Sequence, residues 1–228
     1  MILVVGATGF LGSHLVYHLV KNGYKVRATY RNIELIKQVK DICKYYDNCF
    51  PDFHSNIEWV PADITDYDSL SKAFNGVTYV YNCAGYVSFD PRDRERMIKV
   101  NVEGTRNLVN LSLHNKITKL LHVSSISALG DTIDGSPVDE ECQWVRKKNQ
   151  SWYSITKFNA ETEVWRGSAE GLNMVVVNPS VIIGPGDWDG AGSPSIVKRL
   201  SERSMLSRIQ MYGRNGRIEV SNVRLKVM

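Results

Sequence analysis

Seven residues near the start, Gly6-Ala7-Thr8-Gly9-Phe10-Leu11-Gly12, limit most tightly what this chain can fold into. They follow an apolar run, Ile2–Val5, and open an amphipathic stretch, Phe10–Lys21. A strand that turns at once into a helix needs glycine. A backbone bare of side chains can also approach a pyrophosphate, whose charge then faces the helix N-terminus. The spacing therefore points to dinucleotide binding by Gly6, Thr8, Gly9, Phe10, Leu11 and Gly12. The bland alternative is a tight strand-to-helix turn with no ligand.

The rest of the chain repeats that alternation. Candidate strands are Ile2–Val5, Lys25–Tyr30, Ile57–Pro61, Thr78–Asn82, Lys119–Ser124 and Met174–Asn178. Candidate helices are Phe10–Lys21, Asn32–Lys44, Tyr67–Phe74, Arg94–Leu113 and Tyr153–Ala169. Short strands rich in Val, Ile and Tyr between helical patterns predict parallel βαβ units and an α/β, doubly wound sheet. Asn22-Gly23 reads as the stop of the first helix, and Asp66 as the cap of the third. Residues 45–56 read as a surface loop. Beyond Gly184-Pro185-Gly186 the alternation fades into a Gly-, Ser- and Asp-rich loop, then one candidate helix, Ile196–Leu206, and one short strand, Ile218–Val220.

Charge narrows the class of partner. The 228 residues carry 28 basic and 24 acidic side chains, a net +4. Residues 198–228 hold eight of the basic groups against two acids, so the remainder is slightly acidic. A nucleic-acid surface needs a basic face on the folded body, and none is expected. No apolar run approaches the roughly 20 residues that cross a bilayer. The start lacks a basic segment ahead of a long apolar one, so no signal peptide is expected. Cys43, Cys49, Cys83 and Cys142 match neither a metal-binding spacing nor a disulfide framework, and the expectation is free thiols in the cytoplasm. His14 and His18 share a helix face, but no third ligand accompanies them, so no metal is expected.

Several positions at strand ends bear on the cofactor. A fold preferring NAD usually ends its second strand in an acid about 20 residues past the glycines. Here Val26–Tyr30 is followed by Arg31, whose guanidinium suits a 2′-phosphate. NADP is the expected cofactor, with NAD the alternative, unless Arg31 is merely solvated at a helix start. Asp63 is placed to accept from an adenine amino group with Ile64 against the ring; a turn or capping role for Asp63 competes. Cys83, Ala84 and Gly85 are small enough for a cofactor to lie over the end of the fourth strand.

Tyr153 and Lys157 stand four apart on a helical pattern and share a face. An ammonium beside a phenol favours phenolate, so the spacing predicts a lowered tyrosine pKa and a proton donor or acceptor for a carbonyl or alcohol oxygen. Lys157 is also placed to bond the cofactor ribose. Ser125, at the end of a strand, would hydrogen-bond the substrate oxygen. Turn chemistry is the alternative for Ser124 and Ser125. Trp144, Trp152 and Trp165 surround the tyrosine–lysine helix as pocket or packing residues. Tyr86, Val87, Ser88 and Phe89 are further candidates to face substrate.

In order along residues 1 to 190, the glycine loop, Ala62-Asp63-Ile64-Thr65-Asp66, Asn101–Asn107, His122–Gly130, Tyr153–Lys157 and Asn178–Gly186 resemble the extended short-chain dehydrogenase/reductases. The dihydroflavonol-4-reductase-like branch is the nearest match, with 3β-hydroxysteroid dehydrogenases and nucleotide-sugar epimerase/dehydratases as neighbours. The resemblance implies a Rossmann-type fold, a catalytic set of Ser125, Tyr153 and Lys157, and a nicotinamide lined by Asn178, Pro179, Ser180 and Val181. It also implies that Ser124 and Asn101 belong to the cofactor side, Asn101 matching the family's structural asparagine. Val-Arg-Ala-Thr-Tyr-Arg looks like the NADP-preferring reductases, and Ser124–Gly130 lacks the Thr-Asp-Glu arrangement of the sugar dehydratases. Family members usually continue into a substrate lobe, so the expected organisation is a cofactor domain at 1–186 and a partial or truncated lobe at 187–228. Asn222 stands where the family usually has aspartate.

The expected function is hydride transfer between NADP and a small-molecule carbonyl or alcohol. A nucleotide-sugar epimerase, or a binding module without catalysis, are the rivals. Pairing of two subunits through a face such as Arg94–Leu113 is expected by analogy alone.

Overall fold

The computed structural model describes residues 1–46, 55–130, 138–148 and 150–186. Six strands form one all-parallel sheet: β1 (Ile2–Val5), β2 (Val26–Tyr30), β3 (Ile57–Pro61), β4 (Tyr79–Asn82), β5 (Lys119–Val123) and β6 (Met174–Val177). Their spatial order is β3-β2-β1-β4-β5-β6. The chain winds outward from β1 to β3, then crosses back to lay β4 on the other side of β1. Ile2 is thus in register with both Val26 and Tyr79. This is the doubly wound arrangement read from the alternation.

β1 shows why the sheet is covered on both faces. Its side chains alternate with period two. Leu3 and Val5 join one apolar cluster with Leu70, Phe74, Leu108 and Val164. Ile2 and Val4 join the other with Val16, Tyr17, Val39 and Cys43. The second cluster lies under α1 (Phe10–Lys21) and α2 (Leu35–Lys44); the first under α3 (Tyr67–Ala73), α5 (Gly104–His114) and α6 (Trp152–Ala169).

Helix ends follow the sequence signals. Gly23 N–H bonds the Val20 carbonyl at 2.9 Å and Tyr24 N–H that of Leu19 at 3.1 Å, the paired bonds of a Schellman stop. Asp66 caps α3 by accepting from the amides of Asp68 and Ser69. The helix expected over Arg94–Leu113 is instead three segments: α4 (Arg94–Met97), a π-helical stretch Ile98–Glu103, then α5. Asn101 lies in the π stretch, 2% exposed. The wider turn accompanies a buried polar anchor, as such turns often do at functional sites.

No described helix is long and apolar enough to cross a membrane. The expected lobe at 187–228, with Ile196–Leu206 and Ile218–Val220, lies outside the described residues, as does most of the 45–56 loop.

Candidate active site

The turn from β1 into α1 sits at the crossover point of the sheet. Gly6 has φ +80°, and a Cβ on it would lie 2.6 Å from the Ala84 amide nitrogen, beyond β4. A Cβ on Gly12 would lie 2.1 Å from the Gly6 carbonyl oxygen. Both contacts are with backbone, which cannot swing aside as a long side chain can. Gly12→Ala is therefore expected to cost about 2–5 kcal/mol of stability. A thermal melt of this variant that overlays the parent's would refute so tight a turn.

The same turn leaves an anion seat. No side chain caps α1 at Gly9, and its first turn holds no acid. The amides of Phe10, Leu11 and Gly12 are left at the positive end of the helix dipole. A cleft of about 140 Å³ opens there, lined by Gly6, Thr8 and Gly9 of the loop, Arg31 and Leu35 beyond β2, Ala62 and Ile64 beyond β3, and Cys83, Ala84 and Gly85 beyond β4. Among the described residues no carboxylate lines it. Thr29 fixes the loop by accepting from the Gly6 amide at 3.1 Å, a contact the sequence did not announce. Ile64 faces the cleft, whereas the Asp63 carboxylate accepts from the amide (2.8 Å) and hydroxyl (2.9 Å) of Thr65, holding the turn after β3. The glycine cradle, the uncapped amides and the acid-free lining all fit a dinucleotide phosphate.

At the same end of the sheet, β5 runs out into Ser124 and Ser125. Ser125 caps the short 3₁₀ turn Ile126–Ala128 by accepting from the Ser127 amide, and Ile126 N–H bonds the Pro179 carbonyl beyond β6. The Ser125 side chain lies near enough to the Tyr153 phenol to favour its ionised form, so these two, 28 positions apart, come together. Lys157 lies one helical turn on, 6% exposed, its ammonium donating to the Val123 carbonyl at 2.8 Å.

The electrostatics differ from the expected pattern. Burial raises the Tyr153 phenol above its ordinary value, with the neighbouring Ser125 side chain pulling the other way. Burial also pulls the Lys157 ammonium down to about 8, against the opposing charge of Glu161. The predicted lowering of the tyrosine is thus overturned: desolvation outweighs any help from the lysine. Tyr153 is protonated at neutral pH, which suits a proton donor.

Other expected site residues act at one remove. Asn101 accepts from the Tyr86 amide (2.7 Å) and donates to the Tyr86 carbonyl and the Thr156 hydroxyl, pinning the segment after Gly85. Ser124 donates to Glu161 at 2.6 Å. Asn178 donates to the Ser125 carbonyl and to Glu161. Ser180 and Val181 are exposed beyond β6. Glu161 escaped the sequence reading altogether. Its signal was there: Tyr153, Lys157 and Glu161 recur every fourth residue along one helix face.

A model of the NAD dependent epimerase/dehydratase family matches residues 2–218. The chain belongs to that family. Over 202 residues it is 33% identical to a putative dihydroflavonol 4-reductase of Synechocystis sp., covering 89% of this chain and 55% of that one. Over 204 residues it is 32% identical to cinnamoyl-CoA reductase 1 of Petunia hybrida, with 81% and 55% covered. Among solved structures, gox2253 superposes with a TM-score of 0.70 at 32% identity, covering 86% of this chain and 56% of that one. UDP-glucuronic acid 4-epimerase from Bacillus cereus, in complex with NAD, superposes at 0.71 with 25% identity, covering 88% and 63%. The chain spans about half the length of the curated relatives it matches.

In this epimerase/dehydratase chain the tryptophans part company. Trp144 stacks on Phe158 at 4.1 Å between centroids, and with Trp165 it lines a second cavity, about 210 Å³, beside α6 and β6. Trp152 instead lies under Arg94, 4.0 Å from its ring. Of the two histidines on α1, His14 has both ring nitrogens engaged, by the Tyr46 hydroxyl at 2.7 Å and the Pro185 carbonyl at 2.8 Å. Phe89, 76% exposed, tilts toward Tyr153 at 6.1 Å between centroids.

Proposed function

We propose that this chain is the cofactor-binding and catalytic part of an NADP-dependent oxidoreductase acting on a small carbonyl or alcohol. The observation that carries the reading is the meeting of Tyr153 and Ser125, with Lys157 one turn on, at the sheet end that also holds the glycine cleft. When bound, the nicotinamide supplies or takes the hydride. The chain's own groups manage the substrate oxygen. Ser125 orients it, and Tyr153 donates the proton as the oxygen becomes a hydroxyl. Lys157, charged below about pH 8, steadies the tyrosine and is placed for the ribose.

Phosphate on the 2′-oxygen is favoured by Arg31 in a lining without carboxylates. Arg31→Ala is expected to weaken NADPH about tenfold or more and leave NADH nearly untouched. Titrations of nicotinamide fluorescence that fall equally for both would remove Arg31 from the phosphate.

The test of the whole reading is NADPH consumption against a panel of ketones and aldehydes, with the alcohol product identified. Stoichiometric consumption is expected. Interconversion of nucleotide sugars with no net cofactor change would replace this reading with an epimerase, as the Bacillus cereus protein is. Cofactor binding without turnover on either panel would favour a non-catalytic module.

A further inference from the structure

One acidic side chain joins every moving part of the site. Glu161 lies on α6 one turn beyond Lys157. One of its oxygens, Oε2, accepts from the Ser124 hydroxyl at 2.6 Å and from the Asn178 side-chain amide at 2.9 Å. The other, Oε1, accepts from the Trp165 indole at 3.2 Å. The Asn178 amide also donates to the Ser125 carbonyl at 3.1 Å, so the carboxylate lies two hydrogen bonds from the backbone of the substrate-orienting serine. Ser124 directly follows β5 and Asn178 directly follows β6, while Tyr153 and Lys157 ride on the helix that carries Glu161.

We propose that Glu161 is a positioning residue: its carboxylate clamps the ends of β5 and β6 to the helix bearing Tyr153 and Lys157, and serves as the counter-charge of Lys157. This deepens the reading of Tyr153, Ser125 and Lys157 given above and rests on it. Hydrogen bonds to an ionised acceptor are shorter and stronger than neutral ones, so the two that cross from α6, to Ser124 and Asn178, fix the ends of β5 and β6 against the helix, while the Trp165 bond within α6 holds the carboxylate in place. The geometry also demands a carboxylate. Donors arrive at both oxygens, and an amide offers only one acceptor side. Either rotamer of glutamine at 161 turns its NH₂ group against a donor, Trp165 on one side or Ser124 and Asn178 on the other.

The charge matters as well. The titratable groups that act on Lys157 or feel its charge are Glu161 on its own helix, Cys83 beyond β4 and His122 on β5, with Tyr153 a turn away. Burial holds the Cys83 thiol up at about 12 and the His122 imidazole well below its ordinary value, so both are neutral near pH 7. Tyr153 is neutral there too. Glu161 is the one carboxylate of this set, and its charge works against the burial that pulls Lys157 down.

The experiment is Glu161→Gln in the full chain, with ε-¹³C-labelled lysine. The Lys157 resonance is identified by its loss in Lys157→Met. The Lys157 midpoint is expected at about 8 in the unaltered protein and at lower pH in Glu161→Gln. Turnover of NADPH is expected to drop about tenfold to a hundredfold. NADPH affinity should hold within about threefold, since the glycine cleft is untouched. An unmoved Lys157 midpoint overturns the counter-charge role, and unchanged turnover overturns the clamp. Should Glu161→Gln fail to fold, Ser124→Ala removes the 2.6 Å bond without altering charge. It is expected to slow turnover and leave the lysine titration in place; parent-like turnover there overturns the clamp. Full activity in Tyr153→Phe would sink the catalytic reading instead, and would leave the Lys157 titration to stand by itself.

Discussion

Tyr153→Phe is expected to lower kcat by about a hundredfold to ten-thousandfold, the range for removing a positioned proton donor. The substitution deletes one oxygen and little else. The ring keeps its place against Phe89, the helix keeps its Ser151 cap, and the glycine cleft lies on other elements. Cofactor affinity should therefore hold while the chemical step fails. Because burial keeps the phenol protonated at neutral pH, the loss should be deepest for reduction, where a proton must be given. Steady-state NADPH oxidation by both proteins checks this, and matched rates would remove the tyrosine from the chemistry.

Lys157→Met is expected to do two opposite things: stabilise the fold and abolish turnover. The folded chain holds this ammonium at about 8 against an ordinary 10.5. Charging it inside the protein is thus harder than in the unfolded chain, by about 3 kcal/mol at most. The sign follows from linkage. A lysine whose folded pKa is depressed weighs against the fold fully below about pH 8, and that penalty fades as pH rises toward 10.5. Methionine, similar in shape and uncharged, should raise stability near pH 7 by up to about 3 kcal/mol, with the gain shrinking at high pH. Denaturant melts of parent and variant at both ends of that window would show it. A methionine variant less stable than the parent at neutral pH would mean that the Val123 and Glu161 partners outweigh burial. Turnover of the parent should itself decline as pH climbs through about 8, when Lys157 loses its charge.

Much of the scaffold could be read because its signals are local. Ile2–Val5 ends at the glycine turn, and Phe10–Lys21 ends at Asn22-Gly23; the observed elements share those bounds. Where the reading slipped, a side chain competed with the backbone. The second helix was expected from Asn32 but begins at Leu35, because the Asn32 side chain accepts from the Glu34 amide at 3.0 Å and holds a turn. The break at Ile98–Glu103 accompanies Asn101 reaching Tyr86 and Thr156, residues distant in sequence. The candidate site shows the same division. Spacing together with position along the chain brought out the glycines, Tyr153 and Lys157. It could not weigh burial against a neighbouring charge, so the direction of the tyrosine shift was missed. Glu161 stayed hidden because its partners, Ser124, Trp165 and Asn178, converge only once the sheet is built.

The side-by-side placement of β1 and β4 has one more consequence. The chain leaves β1 for helices on one face and leaves β4 for helices on the other, so among the described residues the helical cover parts above these two strands. The nucleotide seat is thereby written into the ladder of the sheet itself, while the segments past β4, β5 and β6 hang over its rim. Tyr86–Phe89, past β4, take no part in the pairing of β1 with β4, so a change of side chain there can reshape the rim while the rungs beneath stay as they are.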